Sequence, residues 1–132
     1  MVDKITFDLV SPERLLLSDA AEMVTIPGTE GYMGVMAGHS PVISTLRPGT
    51  ITVQGATGGD TRFFIRGGFA EVTAGKLTVL AEEAIPLAEV NAATLDQRIR
   101  DAEEDVTAAK SDADKARAIE ALDDLRQVRS AL

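Results

Sequence analysis

Residues 26–49, with the sequence IPGTEGYMGVMAGHSPVISTLRPG, determine the fold predicted for this chain. Pro27-Gly28 and Pro48-Gly49 bracket the segment, and such pairs are typical of β-turns because proline fixes φ and the glycine that follows permits unusual backbone angles. Between them lie two short apolar runs, at 32–36 and 42–46; Gly34 interrupts the first, and a glycine inside a strand usually marks a bulge or a close approach of backbone. The segment therefore predicts short strands that alternate with tight turns.

The same alternation extends from this segment in both directions, as far as residue 86. Ile5, Phe7 and Leu9 alternate with polar residues, which is the period-2 pattern of a strand with one buried face. Further short apolar runs, separated by turn residues, lie at positions 15–17, 22–26, 51–53, 63–65, 69–72 and 77–80. A total of about nine or ten short strands in about 85 residues predicts a β-sandwich or flattened barrel.

The character of the sequence changes after residue 88. Glycine is absent from Asn91 onward, helix-forming residues dominate, and Asn91 is a suitable N-cap. Apolar residues then recur at steps of three and four in two stripes, which the turn-forming segment 111–114 separates. The first stripe is Ala92, Leu95, Ile99, Ala102, Val106 and Ala109, and the second is Ala118, Ala121 or Leu122, Leu125, Val128 and Leu132. We therefore expect a β-domain at 1–88 and an antiparallel two-helix hairpin at 89–132.

Composition excludes several classes of partner. Thirteen basic and twenty-one acidic residues give a net charge of −8, which disfavours binding to nucleic acid or to an anionic membrane surface. No apolar stretch approaches the ~20 residues that span a bilayer, so we expect no direct membrane insertion. The absence of cysteine excludes disulfides and thiol chemistry.

Catalytic and metal-binding chemistry are not predicted. His39 is the only histidine, whereas metal sites of the usual kind need several His or Cys ligands. Ser40 is merely the sequence neighbour of His39, so a Ser–His catalytic pair is not indicated, and we interpret His39 as a structural or interface residue. The carboxylate groups at 82–83, 103–105 and 123–124 could form acid–base pairs, but we interpret them as solvated positions, the last two on exposed helix faces.

Several separated strings carry a family resemblance. TIPGTEG at 25–31, GVMAGHSPVISTLRPG at 34–49 and FFIRGGFAEV at 63–72 resemble the epsilon subunit of F-type ATP synthases, and the similarity runs from ITFDLVSPE at 5–13 to the C-terminal helices. The resemblance implies a non-catalytic rotor subunit that joins the gamma subunit to the c-ring and couples proton transport to ATP synthesis. It also implies a peripheral location, within the complex, at the cytoplasmic face of the bacterial inner membrane.

The resemblance places interface roles in the central segment. It implies that the turn at 30–32 contacts the c-ring and that the segment around His39 contacts gamma. The expected interface residues are Glu30, Gly31, Tyr32, Gly38, His39, Ser40 and Pro41. Because Tyr32 stands where the family often has an acidic residue, we expect that contact to be less electrostatic.

The start of the second helix resembles a nucleotide-binding motif. In some members of the family, an aliphatic residue, Asp, two variable residues, Arg and Ala bind ATP, and Asp114 and Arg117 match the fixed charged positions. Ala113 stands where Ile or Leu is usual, and Asp123 and Asp124 add negative charge. We expect no cofactor and at most weak ATP binding through Asp114 and Arg117.

The hairpin also raises the question of inhibition. The resemblance implies a contact with the alpha and beta catalytic subunits, but residues 112–132 carry four basic and five acidic side chains, so attraction to an acidic loop is small. Two alternatives remain open: a nucleotide-responsive inhibitor of ATP hydrolysis acting through an ATP-binding hairpin, and a free-standing β-sandwich ligand-binding module. Titration with ATP tests the first, and a monomer found apart from any membrane assembly favours the second.

Overall fold

The computed structural model describes residues 3–130 and residue 132. The chain divides into two compact units, Met1–Ala88 and Glu89–Leu132. Within the described residues, the first unit contains ten strands and the second two α-helices. The predicted β-sandwich or flattened barrel of nine or ten strands, followed by a two-helix hairpin, is confirmed.

The strands of the first unit are short, and glycine lies in or next to most of the turns between them. They are β1 (Ile5–Val10), β2 (Leu15–Ala21), β3 (Met23–Gly28), β4 (Gly31–Val35), β5 (Val42–Leu46), β6 (Gly49–Gln54), β7 (Thr61–Ile65), β8 (Gly68–Thr73), β9 (Lys76–Ala81) and β10 (Ala84–Pro86). The sequence did not predict β10, which covers three residues and pairs with β7 through Ala84, Ile85 and Pro86.

The strands form one sheet with neighbours in the order β10-β7-β6-β3-β5-β8-β9-β1-β2, and β4 pairs with β3 outside this path. Strands β1 and β9 are parallel, and the other pairs are antiparallel. Strand β3 is central because it pairs with β4, β5 and β6. The branch places β4, which carries the predicted interface residues Gly31 and Tyr32, outside the main order of the sheet.

One face of the sheet forms an apolar core. The predicted alternation in β1 is confirmed, since Ile5, Phe7 and Leu9 are buried while Thr6 is exposed. Val24 and Ile26 of β3 lie in the same core cluster, which also includes residues of β5 to β9. Most members are aliphatic, and burial of each contributes about 1.5 to 3 kcal/mol.

The second unit is an antiparallel hairpin of α1 (Ala92–Ala108) and α2 (Asp112–Ser130), preceded by a 3₁₀ turn at Leu87–Glu89. Asn91 is the N-cap of α1, as predicted, because its side-chain oxygen accepts hydrogen bonds from the amides of Ala93 and Thr94 at 2.8 and 3.1 Å. The predicted stripe of α1 is confirmed: each of its members is buried or half-buried. They are Ala92, Leu95, Ile99, Ala102, Val106 and Ala109.

The stripe of α2 departs from the prediction at Asp124 and at Leu132, which lies beyond the end of α2 and is 43% exposed. Leu122 and Val128 are buried as expected, but Asp124 is only 2% exposed. The interpretation of Asp124 as a solvated residue is therefore wrong, whereas the neighbouring Asp123 and the acidic run 103–105 are exposed. Position 124 lies four residues before Val128, so the helical period places it on the apolar face.

Candidate functional site

The first part of the predicted interface is a tight hairpin between β3 and β4. Gly28 pairs with Gly31, so Thr29 and Glu30 alone form the connection. Gly31, which directly follows these two residues, has a φ of 134°, a value that residues with a side chain rarely adopt. Glu30 and Gly31 are exposed, and β4 pairs with no described strand other than β3. The hairpin therefore presents a single carboxylate at its tip.

Tyr32 connects this hairpin to the main sheet. Its ring is half-exposed, but its hydroxyl oxygen accepts a hydrogen bond of 3.2 Å from the backbone amide of Thr50 in β6. Beside Thr50, a Cβ added to Gly49 would lie 2.8 Å from the Tyr32 hydroxyl and 2.9 Å from Cβ of Pro27. The side chain of Tyr32 thus passes directly over Gly49.

This geometry corrects the sequence-based explanation of two glycines. Neither Gly28 nor Gly49 has a positive φ, and each lies at the end of a strand rather than inside a turn. The reason for glycine is close approach: a Cβ on Gly28 would lie 3.0 Å from the carbonyl oxygen of Gly31, and one on Gly49 would meet Tyr32 and Pro27. The interpretation of these Pro-Gly pairs as turns that need unusual backbone angles at glycine was therefore wrong.

The second part of the predicted interface is the turn that leads into β5. The amide of His39 donates a 3.1 Å hydrogen bond to the carbonyl of Met36, and Gly38 has a φ of 87° at the third position of this turn. Nδ1 of His39 lies 2.7 Å from the carbonyl oxygen of Ser40, so Nδ1 carries the proton and donates. The segment positions His39, Ser40 and Pro41 directly before the first residue of β5.

The contacts of His39 do not include a nucleophile. Its partner in Ser40 is the backbone carbonyl and not the hydroxyl, so this pair lacks the hydrogen bond that activates a catalytic serine. Among residues 3–130 and 132, no group of three or more His, Asp or Glu side chains could hold a metal ion. The arrangement is that of a structured loop rather than a reactive centre.

The outer face of the sheet carries apolar residues that the sequence reasoning missed. Register places one residue of each of five adjacent strands in a continuous row across β5, β8, β9, β1 and β2. We call this set the outer row: Thr45, Phe69, Leu80, Val10 and Leu15. Phe69, Leu80 and Leu15 are 45%, 40% and 58% exposed, and Ile43, two residues before Thr45 on the same face of β5, is 73% exposed.

A signal for the outer row was present in the sequence, because these residues occupy the solvent-facing positions of alternating strands. The alternation in β8 and β9 is not apolar-in and polar-out, since Phe69 and Leu80 lie on the outer face. A monomeric protein rarely exposes a contiguous apolar patch without a partner for it. The outer row is therefore a candidate interaction surface, and Ile43 lies on the same face of β5 between the row and the turn at Gly38–Pro41.

The predicted nucleotide-contacting residues lie together at the start of α2. Ser111 caps the helix, since its hydroxyl accepts a 3.1 Å hydrogen bond from the amide of Asp114. Asp114 and Arg117 form an ion pair with each other, and their side chains are 54% and 75% exposed. Because the guanidinium group of Arg117 already contacts the carboxylate of Asp114, it attracts a ligand phosphate less strongly than an unpaired arginine would.

Other charges of α2 are engaged with α1. Arg129 donates a hydrogen bond of 2.8 Å to Asp96, and Arg126 lies 3.9 Å from Glu103. The pair of Asp96 and Arg129 joins the start of α1 to the end of α2, as an antiparallel hairpin requires. The two ion pairs occupy two of the four basic side chains of α2 within the hairpin itself.

Comparison with known proteins identifies the family. Residues 4–87 match the family model described as ATP synthase, Delta/Epsilon chain, beta-sandwich domain. The ATP synthase epsilon chain of Parvibaculum lavamentivorans is 55% identical over 129 residues, covering 98% of each chain. That of Mesorhizobium japonicum is 44% identical over 132 residues, covering 100% of this chain and 98% of the relative.

A solved structure agrees with these relatives. A chain of the Euglena gracilis mitochondrial ATP synthase, determined as OSCP/F1/c-ring in rotational state 1, superposes with a TM-score of 0.81 at 28% identity. The match covers 97% of this chain and 81% of that chain. In the described part of the sequence, no helix combines the length and the apolar character needed to cross a membrane. The chain belongs to the ATP synthase epsilon family and is a non-catalytic subunit of that complex.

Proposed function

We propose that this chain acts as a central-stalk subunit that links the gamma subunit to the c-ring and couples proton transport to ATP synthesis. It does so through two surfaces of the β-domain, the outer row with the adjoining turn at 38–41, and the tip of the β3–β4 hairpin. The observation that carries the proposal is the exposed apolar outer row on a chain whose relatives are epsilon chains of ATP synthases.

The outer row suits gamma as its occupant. Phe69 and Leu80 form a direct cross-strand pair, and Ile43 on β5 lies at the side where the chain arrives from the predicted gamma-contacting turn. The surface and the turn are thus continuous along the chain. An apolar centre with a polar loop at its edge is the usual composition of a stable protein interface.

The hairpin tip suits the c-ring. Glu30 provides one exposed carboxylate, Tyr32 provides a half-exposed ring, and β4 extends outside the main order of the sheet. The tip thus offers the c-ring one charge and one aromatic ring. An acidic residue at position 32 would add a second charge, so the contact made by Tyr32 is less electrostatic. Gly31, which has no side chain, lies between Glu30 and Tyr32 in the tip.

The location and the role of the hairpin follow from the same proposal. As part of the complex, the chain is peripheral at the cytoplasmic face of the bacterial inner membrane, and it is held there by the c-ring and gamma rather than by insertion into the bilayer. The helical hairpin binds the alpha and beta subunits only weakly, because Arg126 and Arg129 form ion pairs within the hairpin. Inhibition of ATP hydrolysis is therefore a minor function.

The experiment that tests the proposal measures binding to an alpha–beta–gamma subcomplex that lacks this chain. We expect Phe69→Glu and Leu80→Glu to raise the dissociation constant at least about tenfold, or about 1.4 kcal/mol, because a charge would be buried against an apolar partner. Ile119→Glu is the matched control, since Ile119 is 42% exposed but lies on α2. Equal binding by all three variants would contradict the assignment of the outer row to gamma.

A further inference from the structure

We propose that Tyr32 is a positioning residue whose hydroxyl, resting on Gly49 and bonded to the Thr50 amide, fixes the direction in which the Glu30 turn projects. The inference rests on the proposed function for its consequence, because the Glu30 turn is there assigned to the c-ring. Its structural part can be tested without any partner.

The β3–β4 hairpin needs a further contact to fix its orientation, because β4 lies outside the main order of the sheet. Strand β4 has only β3 as a strand neighbour among the described residues, and its residues Gly31, Tyr32 and Gly34 are exposed. Val35 and Met33 anchor β4 to the core, whereas the exposed residues of the strand have no such contact. Two glycines in five residues lower the stiffness of β4. The orientation of the tip therefore depends on contacts beyond the β3–β4 pairing.

The Tyr32 hydroxyl supplies such a contact. It joins β4 to the amide of Thr50, a residue of β6 that lies eighteen positions later and is 9% exposed. A buried amide without an acceptor is costly, so a nearby acceptor is strongly held. The bond links the exposed hairpin to a strand that is itself paired with β3 and β7.

Gly49 makes this contact possible. Tyr32 pairs with Pro27 across the hairpin, and both side chains approach the position that a Cβ of residue 49 would occupy, at 2.8 and 2.9 Å. Since Gly49 has no positive φ, the backbone would accept an alanine, and only the methyl group would collide. Gly49→Ala therefore pushes on both the Tyr32 hydroxyl and the rigid ring of Pro27, whereas Tyr32→Phe removes the hydroxyl without changing the aromatic ring.

The consequence for the partner is preorganisation. Tyr32 is two residues from Glu30, so a shift of its ring redirects the carboxylate at the tip. A mobile turn must be ordered when it binds, which weakens binding without altering any contact in the final complex. Loss of the hydroxyl should therefore reduce coupling while leaving the binding of gamma to the outer row unchanged.

The partner-free test is NMR on the full chain. In Tyr32→Phe, we expect the order parameters of the Glu30 and Gly31 amides to fall from about 0.85 to below about 0.6 and the exchange of the Thr50 amide to accelerate at least about tenfold. Because Tyr32 is the only tyrosine and tryptophan is absent, intrinsic fluorescence reports on this ring alone, and Gly49→Ala should increase its quenching by acrylamide. Phe69→Leu, at an exposed aromatic residue outside the hairpin, is the control. Unchanged order at Glu30 and Gly31 together with unchanged Thr50 exchange would overturn the inference.

The partner test uses the assembled ATP synthase. Tyr32→Phe should reduce proton-driven ATP synthesis about two- to tenfold while its binding to the alpha–beta–gamma subcomplex is unchanged, a combination that simple loss of folded protein would not give. The combined effects of Tyr32→Phe and Gly49→Ala should be smaller than their sum, since both act on one contact. If the order parameters of Glu30 and Gly31 fall but ATP synthesis is unaffected, the positioning role of Tyr32 is supported. The assignment of the Glu30 turn to the c-ring in the proposed function is then contradicted.

Discussion

The carboxylate of Asp19 in β2 accepts a hydrogen bond of 2.8 Å from the backbone amide of Gly58, which lies in the turn between β6 and β7. Its other oxygen accepts from the amide of Ala20 at 2.8 Å, and the amide of Thr57 donates to the carbonyl of Ala20. One side chain thereby ties the last strand of the sheet order to a distant turn. These amides favour the ionised form and lower the pKa of Asp19, with the bond from Gly58 the largest cause.

The lowered pKa predicts a pH dependence of stability. A carboxyl group whose pKa is lower in the folded than in the unfolded state stabilises the fold above its unfolded value, about 3.9 for Asp, and this contribution is lost as the pH falls through the folded value. Asp19→Asn should therefore destabilise the protein at pH 7, and the difference should shrink below about pH 4. Denaturant unfolding at several pH values measures it, with Asp105→Asn on α1 as control. A difference that is constant between pH 7 and pH 3 would be inconsistent with this role.

Two glycines with positive φ should differ sharply in their tolerance of alanine. Gly68 has a φ of 138°, and an added Cβ would lie 2.0 Å from the carbonyl oxygen of Leu80 in the neighbouring strand. Gly38 has a φ of 87° and open space around it. We expect Gly68→Ala to cost at least about 3 kcal/mol of unfolding free energy and Gly38→Ala about 1 to 2 kcal/mol. Equal costs would show that backbone strain, and not the contact with Leu80, limits position 68.

The β-domain should fold without the hairpin. Its core cluster is drawn from residues 5 to 81 and includes no residue of α1 or α2. A chain truncated after Ala88 should therefore show a cooperative thermal transition by circular dichroism, close in shape to that of the full chain. A broad transition without cooperativity would mean that the strands require the helices.

ATP should bind the isolated protein weakly or not at all. Asp114 and Arg117 are paired with each other, and Ala113 provides little apolar contact for a base. Calorimetry should detect no binding below millimolar ATP, and Arg117→Ala should change nothing measurable. A dissociation constant in the low micromolar range that Arg117→Ala abolishes would refute this prediction and support a nucleotide-responsive hairpin.

Much of the fold could be predicted because periodicity reports which face of an element is buried. The alternation at Ile5, Phe7 and Leu9 predicted β1, and the three- and four-residue steps predicted both helices. Asn91 was recognisable as a cap because capping depends on a few adjacent residues. These features are local, so a single sequence contains them.

Features that depend on register could not be predicted in the same way. The outer row exists because Phe69 lies opposite Leu80 and Leu80 lies opposite Val10, and strand order sets those pairs. The collision that excludes a side chain at Gly49 involves Tyr32, seventeen residues earlier in the chain. Asp124 was interpreted as solvated because it is charged, although its position in the helical period predicts a place on the apolar face.

The most direct test of the central claim is proton-driven ATP synthesis by membranes whose ATP synthase lacks this chain. Adding the unmodified chain should restore synthesis, whereas Phe69→Glu should fail to do so because it cannot dock its outer row on gamma. Ile119→Glu should restore synthesis as well as the unmodified chain. Full synthesis in the absence of the chain, or equal restoration by Phe69→Glu, would contradict the proposed role in coupling.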